Sequence, residues 1–150
     1  MPGHKKQFFL SLGSNIEPEK NIPSCIESLK KNLSVKKISS IYETDPVGPA
    51  GPLKFWNAVV EIESEETRGT LIATVRRIEE GLGRRRNPSD KFAPRPIDID
   101  ILPQADYQRH AFIIIPLAEI APDAHDEETG KIFRDLASEV SERGVKKLAF

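Results

Sequence analysis

At 150 residues, with 38% hydrophobic and 30% charged side chains and no low-complexity tract, the chain has the make-up of one globular domain spanning 1–150. A net charge of −1 lacks the broad basic footprint expected of a general nucleic-acid binder, and no apolar stretch approaches transmembrane length. One cysteine, Cys25, excludes an internal disulfide framework and fits a reducing compartment.

The opening FFLSLGSN is too short and too quickly polar for a signal peptide, so a cytoplasmic protein is expected. Residues 6–13 (KQFFLSLG) instead read as a first strand, ended by a plain Gly-Ser-Asn turn that lacks the features of a P-loop. Ile22, Ile26, Leu29 and Leu33 then recur at helical spacing, with Pro23 expected in the first turn and Cys25 as a buried structural thiol. Residues 35–44 read as a second strand, followed by a Pro- and Gly-dense loop over 45–52 and a third strand, FWNAVVEIE, over 55–63. Thr67 is placed to cap a second helix that buries Leu71, Ile72, Val75, Ile78 and Leu82 and ends at Gly83.

Next comes RRRNPSDKFAPRPIDIDI, residues 84–101. Ile97, Ile99 and Ile101 alternate with Asp98 and Asp100, the period-2 pattern of a strand with one apolar face. Both carboxylates therefore project to one side, with Cα atoms roughly 6.6 Å apart at ~3.3 Å rise per residue. Two magnesium ions ~3.5–4 Å apart would suit carboxylates so placed. The plainer reading is an amphipathic strand with a solvated polar face. The preceding loop favours chemistry over that reading, because Arg84, Arg85, Arg86, Lys91 and Arg95 face a single acid, Asp90. Carboxylates holding hard cations, beside guanidinium groups that grip phosphate, suit a metal–polyphosphate ligand.

The resulting order is β-α-β-β-α-β, an α+β ferredoxin-like sandwich with two helices on one face of an antiparallel sheet. Beyond it, AFIIIP (111–116) reads as a further strand, PLAEIAP as a short helical turn, and 133–144 as a C-terminal amphipathic helix. The fold alone decides no function, and the aromatic signature of RNA-binding modules with this architecture is absent. His4, His110 and His125 read as surface histidines.

Several segments, in order, resemble one family, the 6-hydroxymethyl-7,8-dihydropterin pyrophosphokinases of folate biosynthesis. They are LSLGSN (10–15), SSIYETDPVGP (39–49), FWNAVVEIE (55–63), RIEEGLGRRR (77–86), APRPIDIDIL (93–102) and FIIIPLAEIAPD (112–123). The resemblance implies transfer of the β,γ-pyrophosphoryl unit of ATP to a pterin hydroxymethyl oxygen, with release of AMP. It assigns two Mg²⁺ to Asp98 and Asp100, catalytic roles to these together with Arg84 and Arg95, and the nucleotide to Arg84, Arg86, Lys91, Phe92, Ile101 and Gln104. Thr44, Val47, Phe55, Asn57 and Phe112 match the acceptor pocket, where aromatic faces suit a flat heterocycle and an amide suits its polar edge. Glu79 matches a family acid at the end of the second helix.

The chain departs from the family in places: Lys91 stands for an arginine, Phe92 for a frequent tryptophan, and the hairpin after the Asp strand is nearly deleted. Gln104 falls where a histidine is usual, and His110, beside Arg109, where an arginine is. These departures leave two other readings, a non-catalytic pterin- or nucleotide-binding relative and a phosphotransferase with another heterocyclic acceptor. The expected partners are small molecules, with neither nucleic acid nor membrane, and the expected state is a monomer or weak dimer.

Overall fold

A computed structural model describes residues 5–44, 54–83 and 96–148. In chain order these form β1 (Lys6–Ser14), α1 (Pro18–Asn32), β2 (Ser34–Ile38), β3 (Tyr42–Thr44), β4 (Phe55–Ser64), α2 (Arg68–Gly81), β5 (Asp98–Ile101), α3 (Ala111–Ile120), α4 (Phe133–Glu139) and β6 (Val145–Lys147). A short 3₁₀ turn, Tyr107–Arg109, precedes α3. The strands make one antiparallel sheet in the order β5-β1-β4-β3-β6, with β2 also paired to β4. This is the expected ferredoxin-like order, with the second strand divided in two and a C-terminal strand added at the edge.

The alternation of side chains along each strand assigns two different cores to the two faces. On the first face, Leu10, Leu12, Val60, Ile62, Ile99 and Ile101 pack with Ile22, Cys25 and Leu29 of α1 and Leu71, Val75 and Ile78 of α2. Burial of each such aliphatic side chain is worth about 1.5–3 kcal/mol. Cys25 lies in this dry layer, where burial first, and the charge of Glu79 second, push its thiol up to about 12, as suits a structural thiol. On the second face, Phe9 and Val59 meet Ile113, Ile114 and Leu117 of α3 and Phe133 and Leu136 of α4, with Phe9 and Phe133 edge to face at 5.8 Å.

Local signals hold best at α2. The Thr67 hydroxyl accepts the Thr70 N–H, as a capping residue should, and Gly83 follows the helix at φ 96°. Elsewhere the structure corrects the sequence. Helix α1 starts at Pro18 rather than residue 22, which leaves Pro23 inside the helix and beyond its first turn. The strand expected over 35–44 is broken at 39–41, where the Ser39 N–H donates to the Val59 carbonyl and the Ser39 hydroxyl accepts the Val59 N–H. The strand expected over 111–116 is a helix, α3, that runs through Pro116 to Ile120. A wholly apolar run has no period with which to separate strand from helix, and this one is buried between sheet and α4. The C-terminal helix stops at Glu139, and 145–147 pair with β3 instead.

Candidate active site

Strand pairing brings the site residues to one end of the second face. Asp98 lies opposite Gly13 and Asp100 opposite Ser11 across the β1–β5 pair, while Gly13 and Ser11 lie opposite Asn57 and Val59 across β1–β4. Asn57 in turn faces Tyr42, and Phe55 faces Thr44. Directly opposed residues share a face, so Asp98, Asp100, Gly13, Ser11, Asn57, Phe55 and Thr44 form one surface. Helices α3 and α4 cover the same face farther along, over Phe9 and Val59. Both Asp side chains are half-buried.

The centre of the surface is shaped by a missing side chain. A Cβ on Gly13 would come within 3.3 Å of Asn57 Oδ1 and 3.9 Å of Phe55 Cδ1. Glycine there leaves space beside the amide, the usual reason for a glycine inside a strand. Asn57 is 4% exposed, and its Nδ2 donates to Thr44 Oγ1 at 2.8 Å. This bond turns Oδ1 toward Gly13, leaving that oxygen available to a ligand donor. Gly13, expected in a plain turn, lies instead within β1 beside the buried Asn57 amide.

The strand that carries Thr44 is braced from α3. Glu119 accepts from the Ser40 N–H (3.0 Å), the Ser40 hydroxyl (2.7 Å) and the Tyr42 hydroxyl (2.7 Å). Burial pushes the Glu119 carboxyl up, but the Ser40 and Tyr42 bonds prevail and hold it below its ordinary value. Burial, then Glu119, push the Tyr42 hydroxyl the other way, so it stays a neutral donor.

Phe112 lies in the first turn of α3, half-buried against the second core, with the His110 ring 5.2 Å away and tilted by 32°. It therefore belongs to the helix covering the site's face and not to a strand. The segment before it is tied down by Asp126, which accepts from the Tyr107 hydroxyl (2.6 Å), the Thr129 N–H and hydroxyl, and Gln108 Nε2. Burial raises the Asp126 carboxyl, yet the bonds from Thr129, Tyr107 and Gln108 outweigh it and bring the group to about 2. Gln104 is half-buried at the foot of this segment, and its Oε1 is shut off from solvent without a hydrogen-bond donor. The side chain of Ile101 is not brought to the Asp face. It is buried on the opposite side of the sheet, and its carbonyl is taken by Arg68. Val47, Arg84, Arg86, Lys91, Phe92 and Arg95 lie outside the described residues.

Asp98 and Asp100 suit magnesium in number and kind. Among the described residues no group of three or more His, Cys, Asp or Glu gathers as a metal cage. Mg²⁺ is commonly held by one or two carboxylates together with substrate phosphates and water, so a pair at an open strand end is a fitting donor set.

The family model described as 7,8-dihydro-6-hydroxymethylpterin-pyrophosphokinase (HPPK) matches residues 9–122, which include Ser11, Gly13, Thr44, Phe55, Asn57, Asp98 and Asp100. The chain belongs to the HPPK family. The 2-amino-4-hydroxy-6-hydroxymethyldihydropteridine pyrophosphokinase of Bacillus subtilis is 32% identical, over 92% of this chain and 87% of the relative. The enzyme of the same name from Methylorubrum extorquens is 31% identical over 93% and 97%, and that from Pseudomonas aeruginosa 27% over 95% and 97%. A crystal structure of Plasmodium falciparum HPPK-DHPS superposes with a TM-score of 0.75 at 12% identity, covering 91% of this chain. The present chain spans 46% of that longer protein, and the likeness supports the HPPK fold. Among the described residues of this HPPK relative, no helix is long and apolar enough to cross a membrane.

Proposed function

We infer that this chain is a 2-amino-4-hydroxy-6-hydroxymethyldihydropteridine pyrophosphokinase, a transferase that moves the β,γ-pyrophosphoryl group of ATP to the hydroxymethyl oxygen of the pterin and leaves AMP. Membership of the HPPK family and the names of its relatives carry the reaction. The observation in the fold that supports it most is the common surface of Asp98 and Asp100 with Asn57, Thr44 and Phe55, on which a metal-holding acid pair would lie beside a pocket for a flat, polar-edged ring.

The residues divide the work. Asp98 and Asp100 would hold magnesium, which when bound neutralises triphosphate charge and helps to orient the transferring group. Arg84, Arg86, Lys91 and Arg95, in the sequence between α2 and β5, would clamp the phosphate oxygens, with Phe92 and Gln104 toward the nucleotide. Asn57, held by Thr44, would take a donor from the pterin edge, while Phe55 and Phe112 would take its faces and Val47 would complete the wall. The catalytic gain is then chiefly positioning of the acceptor oxygen in line with the β-phosphorus, plus neutralisation of charge. The whole of 1–150 serves as one domain in this reading.

Purified protein is expected to form AMP from ATP only when both Mg²⁺ and 6-hydroxymethyl-7,8-dihydropterin are present. No pterin-dependent AMP at millimolar ATP would refute the proposal. Calorimetric binding of pterin without turnover would instead establish the non-catalytic alternative motivated by Gln104 and the shortened 102–112 segment.

A further inference from the structure

Strand β5 carries both acids, yet it is only Asp98–Ile101 and lies at the sheet edge, paired on one side with β1. Such an edge is easily displaced unless its outward backbone groups are engaged. The Leu102 N–H donates to the Phe9 carbonyl, so the even-numbered residues of this stretch turn their backbone toward β1. The backbone groups of Ile99 and Ile101 therefore point outward, and α2 meets one group of each, the Ile99 N–H and the Ile101 carbonyl. Glu79, 1% exposed, accepts the Ile99 N–H through Oε2 at 2.7 Å. Arg68, at the start of α2, donates Nη2 to the Ile101 carbonyl at 2.6 Å and to the Pro103 carbonyl at 2.9 Å, and Nη1 to the Leu102 carbonyl at 3.0 Å. Helix α2 thus lies along β5 as a splint, gripping it near each end through groups of opposite charge.

The grip on Ile99 matters because this residue separates the two acids. A rotation of its backbone would move Asp98 against Asp100 and change the spacing of their carboxylates. A buried carboxylate on the Ile99 N–H opposes that rotation, and a hydrogen bond to an ionised acceptor is about twice as strong as a neutral one. We propose that Glu79, assisted by Arg68, is a positioning residue that fixes the relative placement of Asp98 and Asp100 and thereby sets their affinity for a divalent cation. The inference rests on the metal role given to that pair in the proposed function. It concerns a residue on the opposite face of the sheet, which holds the backbone of the acids' strand at Ile99.

The test compares wild type with E79A, E79Q and R68A by titrating Mn²⁺ calorimetrically in the presence of a non-hydrolysable ATP analogue. Hydrogen exchange of the Ile99 amide, followed by NMR, and Tm are measured alongside. E79A is expected to weaken Mn²⁺ binding by about 10-fold or more, the range for lost outer partners of metal ligands, and to speed Ile99 exchange. E79Q keeps an acceptor and should stay within about threefold of wild type, since it loses only the charge on the bond. R68A, at an exposed position, should weaken Mn²⁺ binding by a smaller factor.

An E79A protein with a lowered Tm but wild-type Mn²⁺ affinity would overturn the proposal and leave Glu79 a purely structural residue. Should E79A not fold, R68A decides, and unchanged Mn²⁺ affinity there would overturn it equally. Failure of the functional reading is separately visible, as wild-type protein that binds Mn²⁺ but makes no pterin-dependent AMP.

Discussion

The two faces of the sheet are built from the same strands and do opposite things. On the first face the fully buried residues of β1, β4 and β5 are largely aliphatic, from Leu10 and Leu12 through Val60 and Ile62 to Ile99 and Ile101, with Phe8 and Trp56 packed at the margin. On the second face, Phe9 and Val59 are covered by α3 and α4, but the residues one or two positions along are Ser11, Gly13, Asn57, Asp98 and Asp100. Within one strand, therefore, the core and the proposed site take alternate residues. In β5 the division is complete: Ile99 and Ile101 belong to the core, Asp98 and Asp100 to the proposed site.

That division predicts opposite phenotypes from neighbouring substitutions. The largest effect on turnover is expected from Asp98→Ala and Asp100→Ala, each lowering kcat by roughly 10²–10³-fold, the scale of losing one group that stabilises charge in a transition state. Their Tm should remain near wild type, because both side chains lie outside either core; a matched fall in Tm and activity would collapse the distinction between the faces. One residue over, Ile99→Ala should cost about 2–5 kcal/mol of stability by chemical denaturation, for the lost burial and the cavity left behind. Its folded fraction should still convert substrate, and an inactive but fully stable Ile99→Ala protein would count against the assignment.

Asp126 sharpens the contrast on the second face, since it is a buried acid with a structural task. Asp126→Ala leaves the Tyr107 hydroxyl and the Thr129 donors without their acceptor and should cost about 1–3 kcal/mol. Its carboxyl is lowered in the folded state to about 2, so the ionised group stabilises the fold above the ordinary aspartate range. That contribution declines as pH falls through about 4 toward 2. Denaturation measured at neutral pH and near pH 2 should therefore show the wild-type advantage over Asp126→Ala shrinking in acid; a constant gap would refute the linkage. The smallest effect is expected at the pocket. Gly13→Ala sets a methyl group 3.3 Å from Asn57 Oδ1 and should raise the pterin KM by about tenfold, a crowding effect of roughly 1.4 kcal/mol, with kcat little altered. An unchanged KM would remove Gly13 from the pocket wall.

What the sequence made legible follows the same physical line. The period-2 pattern of 97–101 placed Asp98 and Asp100 on one face, and Thr67 and Gly83 marked the ends of α2, because each of these signals is local. The break at 39–41 was hidden because Glu119, which braces Ser40 and Tyr42, comes from a distant part of the chain. Helix α3 was misread as a strand because a run apolar on every side carries no period, and its central Pro116 argued for an end rather than a middle. The short β6, with Lys146 and Lys147 beside Val145, has too little apolar content to announce itself. Thr44, Phe55, Asn57 and the Asp pair lie on one face of the sheet. Ile101 projects from the other face, as the alternation in its own strand already required.

The most direct test of the account is the fate of the phosphorus atoms, followed by ³¹P NMR in a mixture of this protein, ATP, Mg²⁺ and 6-hydroxymethyl-7,8-dihydropterin. The account predicts AMP and a pterin diphosphate ester appearing in equal amounts, with neither formed when the pterin is omitted. ADP with a pterin monophosphate, or nucleotide breakdown indifferent to the pterin, would contradict it.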